Sequence, residues 1–203
     1  MAISRKTADD VRELFGIPGD RIRVAYQSCS PAFAEDIPGE ALEKLRRAHA
    51  LPSEFILFVG SLIPRKGVQT LIDALAALPA ADRPGLAVVG KGPLEGALRA
   101  QAARLGLGGL VHFLGRVADA DLPGLYRLAR VFAYPSAGEG FGIPILEGLA
   151  SGVPVVTSTG SCFAEAGGDA ALYAAPGDAD ELAAALARTL ADETLRRDRI
   201  ARG

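Results

Sequence analysis

Short, continuous apolar runs alternate along the chain with longer segments whose apolar residues recur every three or four positions. The runs Phe55–Val59, Leu86–Val89, Val111–Leu114, Val131–Tyr134, Pro154–Thr157 and Ala171–Tyr173 have the length and composition of buried strands. Between them, Val68–Leu78, Pro93–Leu105, Asp119–Arg130, a segment opening at Pro144, and Ala179–Leu190 carry helical periodicity. Strands that alternate with helices predict an α/β fold, an open parallel sheet of Rossmann-like type with helices on both faces. Ser4–Phe15 reads as an amphipathic helix, with Val11, Leu14 and Phe15 on one side and Asp9, Asp10, Arg12 and Glu13 elsewhere. Gly16–Asp20 stops it, and Ile22–Tyr26 alternates as a strand does. Pro31–Pro38 is a connector, Glu40–Ala50 a charged helix, and Thr194–Arg202 a closing charged helix.

Composition narrows the classes. The 203 residues suffice for one sizeable α/β domain with a core of its own. A formal charge of −2 provides no global basic field, so nucleic acid is not an expected partner and any phosphate site must be local. Cys29 and Cys162 have neither metal nor CxxC spacing and fit a reducing, cytoplasmic setting. No apolar run reaches membrane-span length, so a soluble chain is expected.

The densest chemistry lies in Tyr134–Gly152. Glu139 and Glu147 stand eight positions apart, with Gly140, Phe141, Gly142 and Pro144 between them. The order is strand, glycine loop, helix N-terminus. Such a place gathers free N–H groups and the positive end of a helix dipole, and so suits an anion such as a phosphate. Carboxylates accept hydrogen bonds from sugar hydroxyls, and a nucleotide sugar would use both features. The alternative is that the two glutamates only favour a helix start as negative charges do. A second loop, Gly60–Gly67, follows the first apolar strand and ends in Arg65 and Lys66. It is not a P-loop, since no glycine precedes Lys66 and Val68 replaces Ser/Thr. At the carboxyl edge of an open α/β sheet these cations point to phosphate contact; elsewhere they would be an exposed charged turn. Gly90, Gly92 and Gly96 are misspaced for a dinucleotide fingerprint. Asp119 with Asp121, and Asp178 with Asp180, read as acidic helix starts rather than metal ligands. His49 and His112 read as structural.

Pro135-Ser136, Glu139-Gly140-Phe141-Gly142, Glu147, Gly152 and Pro154-Val155 together resemble the E-x7-E signature of the retaining glycosyltransferases of the GT-B fold, family GT4. Lys66-Gly67 is similar to the end of that family's diphosphate loop, with Ser61 where an arginine is usual and Arg65 as a substitute cation. Gly90–Pro93 and Gly115-Arg116-Val117 resemble its further donor loops. The resemblance implies that Glu139 lies against the transferred sugar and Glu147 holds the ribose hydroxyls. The backbone of Gly140, Phe141, Gly142 and Ile143 would then face sugar and phosphates. Gly60, Ser61, Arg65, Lys66, Gly90 and Gly92 would line the cleft, and Arg116 and Val117 would approach the base. Lys66 and Glu139 are the residues expected to serve catalysis. Glu165 is similar to an acid that shapes the fold. Gln27–Ser30 departs from the family's usual turn.

The resemblance spans nearly the whole chain but only half of a two-domain enzyme. Residues 1–26 would be the interdomain helix and entry strand, and residues 27–203 a Rossmann-like donor domain. On this reading the acceptor-binding N-terminal domain would be absent from the sequence. The implied donor is a UDP-sugar or GDP-sugar, with a slight preference for GDP-mannose from Pro64-Arg65-Lys66. The resemblance implies that no metal would be required. Transfer would go to an acceptor hydroxyl with retention, membrane contact would come only through the missing domain, and the isolated chain would bind donor but turn it over poorly. A non-catalytic nucleotide-sugar-binding module, a GT-B-like sugar-nucleotide epimerase and an NAD-binding domain are the alternatives.

Overall fold

The computed structural model describes residues 1–203. Six strands form one parallel sheet: β1 (Phe55–Val59), β2 (Gly85–Val89), β3 (Val111–Gly115), β4 (Val131–Tyr134), β5 (Val155–Ser158) and β6 (Leu172–Ala174). Their spatial order is β3-β2-β1-β4-β5-β6, and every pairing is parallel. This is the doubly wound order, in which the chain reverses direction across the sheet between β1 and β4. Central strands covered on both faces need continuous apolar runs, and Phe55, Ile56, Leu57 and Phe58 of β1 are all fully buried, as is nearly all of β2 and β4.

Helices cover both faces of the sheet. α3 (Val68–Ala77) packs against both α4 (Glu95–Arg104) and α8 (Ala179–Ala191). α2 (Gly39–Ala48), α5 (Leu122–Leu128), α6 (Ile143–Ala150) and α7 (Phe163–Gly167) form the second group. α9 (Glu193–Arg202) follows α8. No helix is long and apolar enough to cross a membrane. Five aromatic rings run through the core in a row: Phe58, Tyr134, Phe132, Tyr126 and Phe33. Successive centroids lie 6.4, 5.9, 4.8 and 5.5 Å apart.

The predicted elements sit where the periodicity placed them, with three differences. Ile22–Tyr26 is not a strand. Ala2 is its sole partner, so Val24 forms one isolated parallel bridge and the pairing cannot propagate. The segment predicted as one helix from Asp119 begins as a 3-10 turn, Asp119–Asp121, and becomes α5 only where Pro123 occupies the first helical turn. α7 is a short helix the pattern did not predict.

At the N-terminus, α1 (Arg5–Phe15) is capped by Ser4, whose hydroxyl accepts from the Thr7 N–H at 3.0 Å. Glu165 accepts the next free amides, those of Arg5 at 2.7 Å and Lys6 at 3.1 Å, and so fastens α1 to α7. Met1, Ile3, Leu14, Phe15, Ile17, Val24 and Tyr26, all in this N-terminal segment, make up most of the large apolar side chains left exposed.

Candidate nucleotide-sugar site

The loops after β1, β2, β3 and β4 meet at the carboxyl edge of the sheet, on either side of the reversal between β1 and β4. Open α/β sheets bind ligands at this position. Backbone hydrogen bonds lace the loops together: Leu62 N–H to Lys91 O at 3.1 Å, Gly90 N–H to Gly115 O at 2.8 Å, and Ala137 N–H to Arg65 O at 2.8 Å. The contacts are too close for side chains. A β-carbon at Gly67 (φ +70°) would lie 2.1 Å from the Pro135 carbonyl oxygen, and one at Gly90 would lie 1.9 Å from the Gly60 carbonyl oxygen. The sequence glycines at these positions therefore set the distance between the β1 loop and its neighbours.

Glu139, Lys66 and Arg65 come together in this edge. The Glu139 Oε1 atom accepts from Lys66 Nζ at 2.6 Å, Arg65 Nη1 at 2.6 Å, Ser136 Oγ at 2.7 Å and Tyr134 OH at 3.1 Å. Lys66 also donates to Tyr134 OH at 2.5 Å and stands over that ring, 4.9 Å from its centroid. Arg65 donates to the Gly138 carbonyl as well. Burial pushes the Glu139 carboxyl up. The hydrogen bonds from Arg65, Lys66 and Ser136 outweigh that and bring it down to about 2. Glu139 is therefore a carboxylate at any ordinary pH. Burial and the adjacent Glu139 charge push the Tyr134 phenol far up, so Tyr134 remains a neutral hydroxyl donor.

The Glu139 backbone is held separately. Its N–H donates to Ser161 Oγ at 3.1 Å, and Ser161 Oγ and Cys162 Sγ approach its carbonyl at 3.1 and 3.3 Å. Ser161 has φ +48°, a left-handed conformation unusual for a residue with a β-carbon. Gly140, Phe141 and Gly142 follow. Phe141 is buried and stacks on Tyr26 at 5.6 Å, and the Gly140 carbonyl accepts from Thr7 Oγ1 at 3.2 Å. α6 starts at Ile143 behind Gly142, which has φ +100°.

Glu147 lies one turn further along α6 and forms no part of the Glu139 cluster. Its Oε2 accepts from Tyr126 OH at 2.9 Å. Burial raises its pKa, and the Tyr126 hydrogen bond offsets this only in part. Both glutamates thus receive a phenol hydroxyl from the same aromatic row. Gly60, Gly90 and Gly92 are partly covered in the interlocked loops, whereas Ser61 and Arg116 are exposed and Val117 packs against the core edge. The structure assigns no side-chain partner to Ser61 or Arg116. Asp121 pairs with His49 at 3.5 Å on the 3-10 turn, in keeping with a structural role for both. Tyr134, Ser136 and Ser161 carry much of the site's hydrogen bonding, yet sequence reasoning gave them no role. Hydroxyls drawn from a strand end and from two loops leave no periodic trace. A larger cavity, about 740 Å³, opens at the opposite, amino edge of the sheet, among Pro52, Leu78, Pro84, Leu110 and Leu190. Its wall is mixed, with Glu54, Asp82 and Arg83 beside these apolar groups.

Comparisons with known proteins bear on the family and the fold. The family model described as glycosyl transferases group 1 matches residues 42–203. The O-antigen chain mannosyltransferase B of Escherichia coli is 35% identical over 206 residues, a stretch covering 100% of this chain and 54% of that protein. The crystal structure of WaaG, a glycosyltransferase involved in lipopolysaccharide biosynthesis, superposes with a TM-score of 0.88 at 28% identity, covering 99% of this chain and 56% of that one. Anabaena HepE in complex with UDP-glucose gives 0.86 at 28% identity, covering 98% and 56%. The chain thus spans about half the length of each of these proteins.

Proposed function

Because the chain belongs to the group 1 glycosyltransferase family, we propose that it is the donor-binding half of an enzyme that moves a sugar from a UDP-sugar or GDP-sugar to an acceptor hydroxyl with retention of configuration. Residues 27–203 form the donor domain in this reading, and residues 1–26 lead into it from an acceptor-binding domain. One observation carries the proposal: cations from the β1 loop and a carboxylate from the β4 loop converge at the point where the sheet reverses.

Each residue's task follows from its chemistry. Lys66 and Arg65 balance the charge that grows on the departing diphosphate, which a metal would otherwise do. The free amides at the start of α6 add to them. Glu139 orients the sugar through its hydroxyls. Glu147, steadied by Tyr126, accepts from the ribose hydroxyls. Gly60, Ser61, Gly90 and Gly92 line the cleft, and Arg116 and Val117 stand on the base side. The mannosyltransferase likeness and the Pro64-Arg65-Lys66 sequence favour GDP-mannose as donor.

Calorimetric titration of UDP, GDP, GDP-mannose, UDP-glucose and NAD, each with and without EDTA, tests the reading. Binding of UDP or GDP that survives EDTA is expected. Glu147→Ala should weaken it at least tenfold, while Glu165→Ala, which only loosens α1, should not. Binding of NAD without UDP or GDP would refute the proposal.

A further inference from the structure

The seat prepared for a phosphate already holds an anion. Both cations of the β1 loop point at one oxygen of Glu139, and two hydroxyls, from Ser136 and Tyr134, complete its shell. An ammonium, a guanidinium and two hydroxyls around a single oxygen are what a phosphate oxygen needs as well. We propose that the Glu139 carboxylate is an internal counter-ion that the donor's diphosphate displaces from Lys66 and Arg65, and that its return to them selects against nucleotides without a sugar. The proposal rests on the donor reading given above.

Three features make the exchange a side-chain movement rather than a loop opening. Ser161 and Cys162 hold the Glu139 backbone at both its N–H and its carbonyl, so the carboxylate can swing while the chain stays in place. Lys66 keeps its second anchor, Tyr134, through the phenol oxygen and the ring face, and so does not follow the carboxylate out. Glu139 stands between Gly138 and Gly140, so neither of its chain neighbours carries a side chain that must move with it.

The exchange has a consequence for selectivity. Once displaced, the carboxylate must find other hydrogen-bond donors, or it is left partly buried and unpaired, at a cost. A sugar attached to the diphosphate supplies hydroxyls for it; a bare nucleoside diphosphate does not. Donor is therefore retained. After transfer the product has lost its sugar, so Glu139 competes for Lys66 and Arg65 again and hastens release.

The test compares wild type with Glu139→Gln, titrated with inorganic pyrophosphate, UDP, GDP, UDP-glucose and GDP-mannose. Glu139→Gln should bind pyrophosphate and the bare diphosphate about tenfold more tightly than wild type, and the sugar nucleotide no more tightly. The preference for sugar nucleotide over bare diphosphate should thus fall at least tenfold. Ser136→Ala keeps the charge but removes one of the bonds that hold it, and should tighten bare-diphosphate binding about two- to threefold. This second variant decides the matter if Glu139→Gln folds poorly. Unchanged or weaker diphosphate binding in both variants, with wild type binding normally, would overturn the counter-ion role and leave the donor reading standing. Failure of all proteins to bind any of these ligands would overturn both.

Discussion

Substituting Gly67 by alanine tests whether the β1 and β4 loops form one rigid unit. Two costs are expected. The φ of +70° disfavours any residue with a β-carbon by about 1–2 kcal/mol. The new atom would also lie 2.1 Å from the Pro135 carbonyl oxygen, which is backbone and cannot rotate away. Forcing such atoms apart in a packed region costs about 1–3 kcal/mol. The sum is roughly 2–5 kcal/mol, which for a chain of this size lowers the melting temperature by about 4–20 °C. Gly177→Ala isolates the first cost, because Gly177 has φ +83° with open space around the missing β-carbon. It should lose about 1–2 kcal/mol. Gly96→Ala, with neither strain nor contact, should gain about 0.4–1 kcal/mol. Thermal and urea unfolding of the three variants, followed by far-UV circular dichroism, gives the comparison. If Gly67→Ala loses no more than Gly177→Ala, the two loops part freely, and the argument that the glycine contact fixes the site fails.

Two further outcomes are expected. Glu139 is held at about 2 against an ordinary 4.5, so its ion pairs contribute stability that is fully present above about pH 4.5 and is lost as pH falls through about 2. The gap corresponds to about 3 kcal/mol, which solvent screening over this loop cuts to about 1–2 kcal/mol. Urea midpoints should therefore separate wild type from Glu139→Gln at pH 7 and converge near pH 2; a constant separation would contradict the linkage. Ser161→Gly relieves the strain at φ +48° but frees the Glu139 backbone. Stability should change by no more than about 1 kcal/mol, while affinity for the sugar nucleotide falls several-fold. Unaltered affinity would show that Ser161 does not position Glu139.

Much of the fold could be read from the chain because its strands are continuous apolar runs and its helices have clear stripes. Phe55–Val59 and Val131–Tyr134 are unambiguous for that reason. Ile22–Tyr26 misled because alternation describes a strand's faces and says nothing about whether a partner is long enough to pair with it. The glycine loop and the cation loop could be picked out as candidates for phosphate chemistry, one from strand–loop–helix order and the other from two adjacent cations after a buried strand. Their direct contact was not, since Lys66 and Glu139 are separated by 73 positions and no local pattern joins them. The same holds for Glu165, whose carboxylate caps a helix 160 positions away. Ser161 gave no warning, because a left-handed serine looks like any other loop serine until its backbone is seen.

The row of rings from Phe58 to Phe33 lies away from the solvent edge. Tyr134 and Tyr126 each extend a hydroxyl from that row to one of the two acids, so the spacing between Glu139 and Glu147 is set by how tightly Phe132 fills the space between the two phenols. The interior of the sheet is in this sense a ruler for its edge: a change of volume at Phe132, which touches no solvent, alters the span between the two carboxylates before it loosens the molecule as a whole.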